Sequence, residues 1–157
     1  MPSLLSLLAV LALSLFAIRA AGCSRSKGEA GLPMIRMQVG DETVSVELAT
    51  TEASRARGLM YRRKMAQNDG MLFIYPKPRK LSFWMKNTYL PLTIAFIDAD
   101  DVIVHIEDMK PLTTNSHPAP KAVPYALEMN QGWFAKHGVK VGDTVSFTLP
   151  DGLEVSE

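Results

Sequence analysis

In Val44-Ser45-Val46-Glu47-Leu48 apolar and polar side chains alternate strictly, the pattern of a strand with one buried face. This alternation limits the fold more than any other feature, because it recurs in short runs with few helical stretches between them. Strands are predicted at Met34 to Val39, around Val44 to Leu48, and at Met71 to Tyr75, Leu81 to Lys86, Thr93 to Asp98, Val102 to Asp108, Tyr125 to Asn130 and Thr144 to Leu149. Gly40-Asp41 suits a turn between the first two. The acidic stretch Asp98 to Asp101 separates two apolar runs that should pair as an antiparallel hairpin. Two short helices are expected, one N-capped near Thr50 and ending at Gly58, the other over Gly132 to His137 and stopped by Gly138. Lys110 to Pro124 holds four prolines, so it is expected to leave the sheet as a surface loop. The fold class that follows is mainly β: a small antiparallel β-sandwich or partly closed barrel with two short helices.

The first 22 residues are set apart from this pattern. Leu4 to Ile18 is an apolar run of 15 residues relieved only by Ser6 and Ser14, shorter than the roughly 20 that cross a bilayer and suited to a signal peptide over 1–22. Ala20-Ala21-Gly22 then precedes Cys23, the single cysteine of the chain, so no internal disulfide can form. The setting resembles a bacterial lipobox, which makes Cys23 the expected lipidation site. Residues 23–32 would then be a lipid-anchored tether and 33–157 a single domain. The expected location is exported, membrane-anchored and facing the periplasm or cell exterior, with the membrane as one partner.

Formal net charge is +1, which gives no reason to expect nucleic acid as a partner. The distribution is uneven. From Arg55 to Lys86 nine basic residues face only Asp69, and after Lys86 ten acidic residues outnumber four basic ones. Such a split suits two solvated faces that attract each other.

Chemistry concentrates in Phe83-Trp84-Met85-Lys86-Asn87-Thr88. On a strand Trp84 and Lys86 share one face, where an indole platform beside an ammonium suits an anionic or sugar-like ligand. The competing structural reading has Trp84 and Phe83 in the core, Lys86 at the sheet edge and Asn87 starting a turn. Arg57 either caps a helix or clamps a carboxylate or phosphate. Glu128 alternates in its strand and by default faces solvent; in a cleft opposite Lys86 or Arg57 it would serve as acid or base. The histidines His105, His117 and His137 are solitary, and no nucleophile elbow, zinc helix or phosphate loop occurs. Met60, Met71 and Met85 stand among apolar neighbours, as core-filling methionines do.

Between Arg57 and Asp98 the blocks Gly58-Leu59-Met60, Gly70-Met71-Leu72-Phe73, Phe83 to Thr88, Pro91-Leu92 and Phe96-Ile97-Asp98 follow in order. They resemble domain-of-unknown-function family 192, also known as uncharacterised protein family 0127, whose members are small β-rich bacterial and archaeal domains, often behind a signal peptide. The resemblance implies a compact, mostly β fold and names no substrate. The reading is of a non-enzymatic envelope lipoprotein that binds a small molecule, glycan or envelope protein through a groove bordered by Arg57, Trp84, Lys86 and Asn87. No cofactor is expected. An envelope enzyme acting on a sugar or peptidoglycan-like substrate through Glu128 is the alternative, and a copper-handling protein using Met and His is a third.

Overall fold

The structure is a computed structural model and describes residues 31–157. The expected signal peptide, Cys23 and most of the tether lie outside the described residues. Nine strands and two helices make up the rest: β1 Met34–Val39, β2 Glu42–Ala49, α1 Glu52–Arg57, β3 Asp69–Arg79, β4 Ser82–Phe83, β5 Leu92–Ile97, β6 Ile103–Met109, β7 His117–Pro118, β8 Val123–Asn130, α2 Trp133–Lys136 and β9 Val145–Phe147.

Seven strands form one sheet in the order β6-β5-β8-β3-β2-β1-β9, and β4 pairs with β7 separately. All neighbours are antiparallel except β2 and β3, which run parallel across the connection carrying α1. The two edges of the sheet meet at one end, where Val102 bridges Thr144 and Ile103 N–H donates to the Asp143 carbonyl at 2.9 Å. The sheet is therefore curled into a partly closed barrel, whose edges β6 and β9 touch only at the start of β6.

Period-two alternation divides the side chains between two apolar layers. Inside the curl, Val46, Leu72, Leu127 and Val145 pack around Trp133 and Phe134 of α2. On the outer face, Met71, Phe73, Ile94, Phe96 and Ala126 are covered by Leu59, Leu81, Met85 and Leu90. These covering residues come from the long excursions between strands, so the outer layer is roofed mainly by loops, which carry the small β4–β7 pair. Strands buried on both faces explain the nearly continuous apolar run of β5, interrupted only by Thr93, all six residues of which are buried.

Local chemistry sets the turns. Gly40, with φ +59°, starts the β1–β2 turn, as a type II′ hairpin requires at its first central position. Asp98 Oδ1 accepts from the Asp100 and Val102 amides, both at 3.1 Å, which folds the β5–β6 hairpin. The cap of α1 is Thr51, one residue beyond the expected Thr50: its hydroxyl accepts from Ser54 N while Ser54 Oγ accepts from Thr51 N.

Two expectations are corrected here. The strand expected over Leu81 to Lys86 stops at Phe83, because Lys86-Asn87 makes a turn in which Asn87 has φ +57°. The proline-rich stretch from Lys110 is not wholly irregular: His117–Pro118 pairs with β4, and β8 begins at Val123, with Pro124 buried. Proline is tolerated at both places because each lies at a strand end or outside the main ladder.

Candidate functional site

Across the outer face a row of paired residues runs Glu47, Met71, Glu128, Ile94, Glu107 through β2, β3, β8, β5 and β6. Paired residues point the same way, so three carboxyls enter one apolar layer. Glu47 is held bidentately by Arg62, whose Nη2 donates to Oε2 at 2.9 Å. Glu107 lies 2.7 Å from His117 Nδ1 and 3.6 Å from His105 Nε2. Glu128, between them, is 4 % exposed. Burial pushes its carboxyl up to about 8, with no hydrogen bond or neighbouring charge to offset it.

Glu128 lines a cleft of about 540 Å³. One wall is α1 with the Gly58-Leu59-Met60 turn, and the other is the end of β3 with Arg79 to Trp84. Gly58 has φ +47°, and an added Cβ would stand 3.3 Å from the Phe73 ring, so glycine keeps this wall close to the floor. Gly70 allows β3 to approach β8 beside Glu128, where a Cβ would lie 2.5 Å from the Glu128 carbonyl oxygen.

The cleft wall carries four cations with different roles. Arg55 donates to the Thr50, Ile74 and Ser156 carbonyls at 2.6, 3.0 and 2.9 Å and stacks over Tyr75 at 4.6 Å, which makes it a bracket joining helix, sheet and tail. Arg79 lies 5.7 Å from the same ring. The side chains of Arg57 and Lys80 are exposed and form no hydrogen bond or ion pair among the described residues. Burial lifts the Tyr75 phenol above its usual range, Arg55 and Arg79 oppose that, and Glu128 adds to it. Tyr75 and Glu128 are thus electrostatic neighbours in the cleft.

Of the residues singled out from sequence, Arg57, Trp84 and Glu128 are brought together in this lining. Lys86 and Asn87 stand outside it. Trp84 is 51 % exposed, so the reading that buried it in the core is corrected; Phe83 and Met85 turn inward in its place. Lys86 Nζ sits 5.3 Å from the Trp84 ring centroid, at the outer side of the mouth. Asn87 Nδ2 donates to Tyr61 Oη at 2.9 Å and its carbonyl accepts from Tyr61 N at 2.9 Å, which ties the loop after β4 to the loop after α1. The default that turned Glu128 to solvent is also corrected, because both faces of β8 are covered. Tyr75, Arg79 and Lys80 were not foreseen: Pro76 to Lys80 falls between two predicted strands, whereas β3 runs on through it to Arg79 across a register shift, which brings Arg79 and Lys80 into the cleft lining with Glu128. Met71 and Met85 are fully buried in the outer layer, while Met60 lines the cleft.

A second groove, of about 1180 Å³, runs between β1, β9 and Thr148 to Asp151. Its charged residues Arg36, Asp101 and Asp151 all reach solvent, so it lacks the buried titratable group that distinguishes the first.

The fold and cleft define a small, mainly β domain: a curled mixed sheet with a loop-roofed cationic cleft on its outer face. The chain belongs to the DUF192 family, described as Uncharacterized ACR, whose profile matches residues 35–147. Among solved structures it is similar to a protein of unknown function from Novosphingobium aromaticivorans, with 31% identity, TM-score 0.75 and coverage of 80% of this chain and 94% of that one. It is also similar to a Sinorhizobium meliloti protein conjectured to be a transcription regulator, with 38% identity, TM-score 0.68 and coverage of 72% and 91%. No curated protein matches the chain.

Proposed function

We propose that this domain binds a small anionic molecule in the Glu128 cleft while tethered to the cell envelope through Cys23. The observation that carries the reading is the Glu128 carboxyl, nearly buried at the floor of the cleft and given no charged partner among the described residues, beneath a rim on which the Arg57 and Lys80 side chains have no ion-pair partner among the described residues. A polar group largely stripped of water at the floor of a cleft gains a contact when a ligand arrives. Phe83, Tyr75 and the exposed Trp84 supply flat apolar walls, which suit the ring of an acidic sugar or another cyclic acid. The tether is supported by the apolar run Leu4 to Ile18 and by Cys23 after Ala20-Ala21-Gly22.

Titration of the soluble domain with acidic sugars, sugar phosphates and neutral sugars, followed by calorimetry, tests the binding. Acidic members should bind, neutral ones should not, and Arg57→Ala should weaken the interaction. Equal binding of neutral and acidic sugars would refute the reading. For the tether, Cys23→Ser should abolish membrane attachment or leave an uncleaved precursor; unchanged attachment with normal processing removes it.

Glu128 also favours an enzymatic reading, because a carboxyl pushed up to about 8 is poised to act as a general acid near neutral pH. Under that reading envelope glycan fragments are cleaved, and Glu128→Gln abolishes turnover while leaving binding intact. Absence of products from the parent protein after prolonged incubation would exclude it.

A further inference from the structure

We infer that Glu128 engages the ligand as a neutral acid, donating a hydrogen bond to an oxygen of an anionic molecule whose charge is met at the rim by Arg57, Arg79 and Lys80. The inference rests on the binding role proposed for the cleft and specifies how the floor reads its ligand.

The row of three glutamates argues for it. Glu47 and Glu107 each have a cationic or histidine partner within the chain, and those partners come from the segments that roof the outer layer. Above Glu128 the roof opens into the cleft, so its partner comes from the bound molecule.

Every element packed around it leaves the carboxyl without a countercharge. Met71 of β3 and Ile94 of β5 flank it in the sheet and are apolar. From β3 comes Tyr75, whose phenol is held neutral by burial. From α1 come Glu52, Arg57 and Arg55, the last already committed to three carbonyls. Arg79 and Lys80 follow from the end of β3, and Glu157 from the tail. None of them offsets the burial of Glu128, which holds its proton at neutral pH.

A cationic ligand would have to pass the basic rim, and would form a buried ion pair whose desolvation is costly. An anionic ligand meets the rim favourably and needs a donor at the floor, which a protonated carboxyl provides. An amide side chain would provide the same donor at every pH.

Glucuronate is a suitable probe, because its carboxylate keeps one charge from pH 6.5 to 9.5 while Glu128 titrates and Tyr75 does not. Among the described residues no histidine lines the cleft. Affinity of the parent should fall about ten-fold or more over that range, the worth of one hydrogen bond to a charged group. Glu128→Gln should bind at pH 6.5 like the parent and change less than about two-fold by pH 9.5. Flat binding by the parent across the range, or a parallel loss in the Gln variant, overturns the neutral-acid role and leaves the binding reading standing. Failure of glucuronate and of the other acidic probes to bind the parent at any pH removes both. In carbon-13 spectra the free parent should show a Glu128 carboxyl titrating well above the other glutamates; an ordinary titration overturns the inference whatever the ligand.

Discussion

Glu128 and Glu47 stand in one row of the sheet with only Met71 between them, yet Glu47 is gripped by both guanidinium nitrogens of Arg62 and Glu128 has burial alone acting on it. The same residue type on the same face therefore does two different jobs. Glu47 fastens the loop after α1 onto the sheet, and Glu128 opens that face to the cleft.

Breaking the fastened pair should be expensive. Arg62→Ala leaves a buried carboxylate without its cation, and loss of one partner from a buried pair typically costs about 3–5 kcal/mol. Denaturant unfolding checks this. A loss below about 1 kcal/mol would mean that water replaces the guanidinium and that the pair is in effect exposed.

The pH dependence of Glu128 has the opposite sign from that of an ordinary paired carboxylate. Its carboxyl sits at about 8 when folded and near 4.5 when unfolded, so between those values the folded chain holds the extra proton and stability falls as pH rises. Below about pH 4.5 the burial of the neutral acid has its full benefit, and it is lost by the time pH passes 8. Glu128→Gln should melt several degrees above the parent at pH 8, with the difference closing toward pH 4.5. A difference that does not vary with pH would show that Glu128 is not the titrating group.

Gly70→Ala should be among the most damaging single-methyl additions. The new Cβ would approach Met129 Sδ to 2.4 Å and the Glu128 carbonyl oxygen to 2.5 Å, and the second contact is with backbone that cannot swing aside. Forcing β3 from β8 should cost about 1–3 kcal/mol or more, whereas Gly138→Ala meets open space and is opposed only by its positive φ. Thermal melts of the two variants check the order, and a milder effect at Gly70 would mean the strands separate easily.

Trp84→Ala should leave stability nearly unchanged, within about 1 kcal/mol, because half of the side chain is already in water. Phe134→Ala, which removes a fully buried ring from inside the curl, should cost about 3–5 kcal/mol. If Trp84 lines the ligand path, its replacement should weaken glucuronate binding while the melting temperature holds. Equal destabilisation by the two changes would make Trp84 a core residue after all.

The sequence by itself determined the elements. Alternation located β1 to the residue and most other strands to within a few positions, because period-two burial is a local property written in neighbouring residues. The helix start near Thr50, one residue short of the actual cap Thr51, Gly58 after Arg57, and the Asp98 turn were legible for the same reason: their hydrogen bonds span only a few positions. The blocks between Arg57 and Asp98 were enough to indicate the family, and Arg57, Trp84 and Glu128 could be picked out as chemically unusual. Only the tertiary structure decided which of them meet. That β2 and β3 pair in parallel, that both faces of β8 are covered, and that Arg79 and Lys80 line the same cleft as Glu128 depend on contacts between residues far apart in the chain. Glu128 shows the difference most plainly. Alternation assigns it to a face of β8, but whether that face meets water, a roof or a cleft is set by segments from α1, the end of β3 and the tail, and only their packing leaves the carboxyl nearly buried at the cleft floor and raises its affinity for a proton.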